Sequence, residues 1–206
     1  DEINRTPPKT QSALLEAMQE HKVTTAGRTL ELPEPFFVQA TQNPIEQEGT
    51  YPLPEAQVDR FMLKLNIGYP DKKEERRILD RMGMIRHSQG VKAVATIADV
   101  LEARTLIDDL YVSDELKDYI VDLIFATREG SVLGDLQNVI ECGASPRATI
   151  ALLVSSKAYA FIEGRDHVRS NDIKKLAYDV LRHRITISYE GEAEGVTSED
   201  VIKKIL

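Results

Sequence analysis

Asp1 and Glu2 stand side by side at the start of the chain. Adjacent carboxylates at the end of a buried strand suit nucleoside triphosphate hydrolysis: one holds a hydrated Mg²⁺ and the next polarises the attacking water. Two acids in isolation equally describe a solvated polar end. Asn43 closes a short apolar run, where an amide can donate to a phosphate oxygen or orient a water; Asn-Pro is also an ordinary turn signal. Arg60, in the stretch EAQVDRF, offers a planar donor fork suited to charge on a transferring phosphoryl group, including one bound to a neighbouring subunit. The plain alternative for Arg60 is a surface ion pair with Asp59 or Glu55. Arg147 falls in the first turn of a helix opened by Ser145-Pro146, where the helix dipole disfavours a cation by about 0.3–1 kcal/mol. An anion there reverses the sign, because free N–H groups and the guanidinium both face it; an exposed Arg bearing that small penalty is the other reading.

The elements that must position these residues follow from local pattern. Thr6 and the Pro7-Pro8 pair predict a helix from Pro7 to Glu20 with Leu14, Ala17 and Met18 on one stripe. The β-branched residues around Ala26-Gly27 predict a hairpin near residues 22–32. FFVQAT, at 36–41, has the apolar character of a strand buried on both faces, and LKLNI, at 63–67, alternates like a second strand. Asp71 predicts the cap of a charged helix with Ile78, Leu79, Met82 and Ile85 on one side, and residues 88–92 read as a linker. Helical spacing then dominates, with starts at Thr96, Ser113, Ser145, Ser170 and Thr197, the last forming a capping box with Asp200. The fold class expected is α/β plus all-α. Two core strands and a hairpin are too few for a doubly wound sheet, so the pattern predicts a chain that begins inside a larger fold.

The 206 residues carry a net charge of -8, which opposes broad binding to nucleic acid through phosphate neutralisation. The local cluster Arg182-His183-Arg184 is the one basic stretch that suggests DNA, and acidic Glu190, Glu192 and Glu194 nearby argue against it. No apolar run reaches membrane-spanning length, so no membrane insertion is expected. The lone Cys142 cannot close an internal disulfide, fits a reducing, cytoplasmic setting and reads as a buried small residue. The four histidines have no metal-ligand spacing. No Gly-x-x-x-x-Gly-Lys-[Ser/Thr] phosphate loop occurs in the chain.

Three stretches, DEINRTPPKTQSALLEAMQE at 1–20, PEPFFVQATQNPIEQEGTYPLPEAQVDRF at 33–61 and GASPRA at 143–148, together with LRHRITISYE at 181–190, resemble the MoxR family of AAA+ ATPases. The resemblance implies that Asp1 and Glu2 match the Walker B acids, Asn43 sensor 1, Arg60 the arginine finger and Arg147 sensor 2. It further implies ATP and Mg²⁺ as ligands, with Asp1 holding the metal through water. Residues 1–70 would be the C-terminal part of the AAA+ core, with two parallel strands and a hairpin, and residues 71–206 the helical lid. A ring, commonly a hexamer, would remodel client proteins with a partner carrying a von Willebrand factor A domain. The missing phosphate loop departs from the family and predicts that this stretch alone does not hydrolyse ATP. It also keeps open an alternative, a non-catalytic oligomerisation or client-binding module.

Overall fold

A computed structural model describes residues 1–43, 49–84, 91–129, 134 and 138–206. Ile85 and residues 88–90 of the expected linker lie outside them.

A 3₁₀ turn at Ile3–Arg5 leads into α1 (Pro8–Glu20). Thr6 does not cap α1: its hydroxyl donates back to the Ile3 carbonyl (2.6 Å), and Pro7 takes the N-cap position. The preceding turn already fills the capping role Thr6 was expected to play. β1 (Lys22–Thr25) and β2 (Arg28–Glu31) form the expected hairpin, with Thr25 opposite Arg28. Ala26 and Gly27 both have positive φ (47° and 75°), as a two-residue turn matching strand twist requires.

A short α2 (Glu55–Val58) precedes α3 (Lys72–Met82) and α4 (Ile97–Asp108), capped by Asp71 and Thr96 through reciprocal capping boxes. Neither α3 nor α4 buries a residue, so the Ile78, Leu79 and Met82 stripe faces outward.

The main core lies further on. α5 (Asp114–Ala126) contributes Ile120, Leu123 and Ile124; α6 (Pro146–Ile162) contributes Ala148, Ala151, Leu152 and Ala160; α7 (Ser170–Leu181) contributes Ile173, Ala177, Val180 and Leu181. Small buried residues at three- and four-residue spacing on α6, Ala148, Ala151 and Ser155, let its neighbours approach closely. α8 (Tyr189–Ala193) and α9 (Ser198–Ile205) complete the bundle, α9 through the fully buried Val201 and Ile202. A bidentate pair, Arg165 to Asp172 at 2.7 Å on both arms, joins the end of α6 to the start of α7.

A mixed α/β and helical chain is therefore what folds, but three details differ from expectation. The stretches 36–41 and 63–67 form no sheet ladder among the described residues. A strand is stabilised by neighbours on its edges, and among the described residues each stretch has one backbone hydrogen bond to another segment: Ile3 N–H to the Thr41 carbonyl (2.9 Å), and Lys64 N–H to the Asp179 carbonyl (2.8 Å). The region read as wholly helical contains a small antiparallel pair, β3 (Ile140–Cys142) with β4 (Thr186–Ile187). Cys142 sits on that pair and is exposed rather than buried.

Candidate functional site

Hydrogen bonds place three of the five predicted residues in two sets, Asp1 and Glu2 around Thr41 and Arg147 around Asp59. The first surrounds Thr41. Its hydroxyl donates to the Asp1 carboxylate and accepts from the Glu2 N–H (2.8 Å), while its carbonyl accepts from Ile3. The acid pair thus lies against the segment that ends, two residues later, in half-buried Asn43. Gln11 of α1 anchors this arrangement from beneath. Only 2% exposed, its amide donates to the carbonyls of Ile3 and Tyr51 (3.3 and 3.2 Å), and Tyr51 N–H reaches the Asn4 carbonyl (2.6 Å). The Glu2 carboxylate folds back onto Arg5 (3.0 Å).

The second set centres on Asp59, which the sequence offered only as a partner for Arg60. Its carboxylate accepts from Ser145 Oγ (2.9 and 3.0 Å), from Arg184 Nε (3.0 Å) and, more weakly, from Arg147 Nη1 (3.4 Å). Burial pushes the Asp59 carboxyl up, but the bonds from Ser145 and Arg184 outweigh it and hold the group below its ordinary range. Arg147 is therefore not left unbalanced at the positive end of the α6 dipole, since Asp59 supplies the anion. Its guanidinium remains half exposed.

Arg60 pairs with neither expected partner. Asp59 is engaged as described, and Glu55 accepts from the Thr186 hydroxyl (2.7 Å). Among the described residues Arg60 makes no ion pair, and its Nε is buried without an acceptor. The plain surface-pair reading of Arg60 is thereby removed.

The basic cluster at 182–184 faces inward. Arg182 bonds Asp179 (2.6 Å) and Glu199 (3.0 Å), and Arg184 is buried, donating to Asp59 and to the carbonyls of Asp59, Phe61, Met62 and Val180. His183 Nε2 donates to the Phe61 carbonyl (3.0 Å), leaving Nδ1 buried and unprotonated. Burial, aided by neighbouring Arg184, pushes its pKa down to about 4. These three side chains join segments within the molecule and present no row of cations to a phosphate backbone. The signal that could have revealed Arg184 is its position directly after the apolar stripe of α7, where a cation has core on one side.

Gly143 explains how Ser145 and Arg147 are placed. A Cβ there would stand 2.4 Å from the Thr127 carbonyl oxygen, so only glycine allows this approach. The contact is secured by Ala144 N–H to Thr127 Oγ1 (3.0 Å) and Arg128 Nε to the Ala144 carbonyl (2.7 Å). Ser145 then caps α6 through Arg147 N–H (3.2 Å).

As to metal, no cluster of three or more His, Cys, Asp or Glu occurs among the described residues. One Asp1 oxygen is taken by Thr41. A single remaining carboxylate oxygen suits an outer contact to a hydrated Mg²⁺, which retains its waters readily, rather than a protein-built cage.

Comparison with known proteins bears on this geometry. A family model described as "ATPase family associated with various cellular activities (AAA)" matches residues 1–63, and one described as "AAA lid domain" matches residues 136–205. Chaperone MoxR1 of Mycobacterium tuberculosis is 45% identical over the whole of this chain. The chain belongs to the MoxR family of AAA ATPases. The Bacillus subtilis protein YeaC, itself uncharacterised, is 43% identical, again across the whole chain. A crystal structure from Cytophaga hutchinsonii, a provisionally assigned ATPase, superposes over the whole chain with a TM-score of 0.94 at 48% identity. The chain spans 55% and 62% of the two relatives and 63% of the solved chain. No helix among the described residues is long and apolar enough to cross a membrane.

Proposed function

We propose that the protein to which this chain belongs hydrolyses ATP and uses the cycle to remodel or mature client proteins, as a MoxR-type AAA ATPase. The observation that carries the reading is the seating of Asp1 and Glu2 against Thr41, which brings the acid pair to the end of the segment closed by Asn43. In this reading residues 1–70 contribute the C-terminal part of the α/β core and residues 71–206 the helical lid. Mg²⁺, when bound with the triphosphate, supplies charge neutralisation at the phosphoryl oxygens.

The residues of the chain divide the remaining work. Asp1 orients the hydration shell through its free oxygen. Glu2 leaves Arg5 and accepts a proton from the attacking water at its carboxylate, while Asn43 fixes the direction of attack. Arg147 moves from Asp59 to the outer phosphate end of the nucleotide, where its charge and the α6 N–H groups act together. Arg60, without an ion pair among the described residues, completes the site of a neighbouring subunit, so activity depends on assembly into a ring. The ring, its hexameric count and a partner with a von Willebrand factor A domain rest on the family resemblance, as does a chaperone role, which matches the name of the Mycobacterium tuberculosis relative.

The test is Glu2→Gln in the full-length protein. Loss of a general base lowers ATP turnover by about 100-fold or more while ATP binding is retained. Turnover at the parent rate would remove Glu2 from the chemistry.

A further inference from the structure

The Asp59 carboxylate sits where three stretches of chain meet. Its own stretch continues into Arg60; Ser145 and Arg147 reach it from the start of α6, and Arg184 reaches it from the turn after α7. Two of these attachments are fixed. The Arg184 side chain is 2% exposed, with every nitrogen donating, and Ser145 Oγ lies within 3.0 Å of both carboxylate oxygens. The third is loose, because Arg147 Nη1 stands 3.4 Å away on a side chain 48% exposed. Arg147 can therefore exchange Asp59 for another anion without leaving a carboxylate bare, since Ser145 and Arg184 stay behind.

We infer that Asp59 is a positioning residue: it occupies Arg147 as a substitute for phosphate when no nucleotide is there, and passes the release of Arg147 to the adjoining Arg60. The inference rests on the reading of Arg147 and Arg60 given above. Its physical content is a competition. While Asp59 holds Arg147, nucleotide must displace an internal anion, so apparent affinity is scaled down to the fraction of Arg147 that is free. Because Arg184 also grips the carbonyls of Asp59, Phe61 and Met62, the segment bearing Arg60 is clamped from both sides and responds to load on the Asp59 carboxylate.

Asp59→Asn in the full-length protein keeps an acceptor for Arg184 and Ser145 but removes the charge that competes for Arg147. KM for ATP is expected to fall about threefold or more while kcat falls about tenfold, a split that general loss of structure does not produce. An unchanged or raised KM overturns the inference. A second measurement separates it from the reading on which it rests. Subunits carrying Arg60→Ala are mixed with subunits carrying Glu2→Gln, the first having a sound site and the second a sound finger. No recovery of ATPase activity overturns the assignment of Arg60 and this inference with it. Recovery that disappears when Asp59→Asn is added to the Glu2→Gln subunits supports the inference, and recovery that persists overturns it alone. Should Asp59→Asn lose its cooperative melt, Ser145→Gly takes its place, since glycine keeps most N-cap stability while removing one grip on the carboxylate. Losing the Ser145 donor leaves the Asp59 charge to bear more fully on Arg147, so KM for ATP should rise rather than fall, and parent kinetics would overturn the inference.

Discussion

The two halves of the chain are held together differently. From Val112 onward, α5, α6, α7 and α9 share one apolar core with many side chains fully buried. Before Val112 the buried apolar residues are Ile3, Leu15 and Ala17 among those described, and α3 and α4 bury none. The earlier half is instead fastened by directed polar contacts: Gln11 under the first turn, Thr41 against Asp1 and Glu2, and Arg184 and His183 gripping residues 59–62. The contrast teaches where motion is affordable. Apolar burial is non-directional and survives small shifts, whereas hydrogen-bonded staples hold or release in discrete steps. Four of the five candidate functional residues lie in the stapled half, and the fifth, Arg147, stands at the edge of the core facing it.

The sharpest way to break the contrast is to remove the main staple. Arg184→Met leaves part-buried Asp59 short of its fixed cation and several carbonyls without donors, at a cost of about 3–5 kcal/mol in denaturant unfolding. Hydrogen exchange at Lys64 N–H, which bonds across to Asp179, should rise first, while amides of α6 stay protected. Equal exposure of both would show that the halves unfold as one.

A smaller effect tests the apolar side of the comparison by making one deletion in both halves. Leu152→Ala, at a site with no exposure, should cost about 2–5 kcal/mol. The same change at Leu79, 63% exposed on α3, should stay within about 0.5 kcal/mol. A large loss at Leu79 would mean that α3 is covered in solution.

Acid provides the mildest probe. His183 has a folded pKa of about 4, below its ordinary 6.5, so the unfolded chain binds the extra proton in that window. Stability is therefore full above about pH 6.5 and is lost as pH falls towards 4, by at most about 3 kcal/mol from this residue. Asp59, held below the ordinary carboxylate range, adds its own loss only at lower pH still. Urea unfolding between pH 7 and 4.5 measures the effect, and His183→Gln should flatten the slope.

Much of this was legible beforehand. Asp71, Thr96, Ser113, Ser145 and Thr197 each announce a helix by local chemistry, and all five cap one. The hairpin followed from Gly27 between β-branched runs. The candidate residues for phosphate chemistry were named from residue type and order, and the MoxR family itself was legible from the same stretches. Thr6, Cys142 and the two strands were misjudged, because capping, burial and ladder formation each depend on what lies across from the residue. Asp59 and Arg184, 125 positions apart, could not be paired from the sequence.

The sequence by itself determined the helix starts, the turn chemistry and the kinds of group available for phosphate chemistry, since each depends on neighbours a few residues away. Only the tertiary structure decided that Arg184 points inward, that Arg60 has no ion-pair partner among the described residues, and that Asp59 joins Arg147 to the segment of Arg60. Those outcomes depend on which distant carboxylates and carbonyls share a desolvated space, where an ionic group must find a partner or not be buried at all.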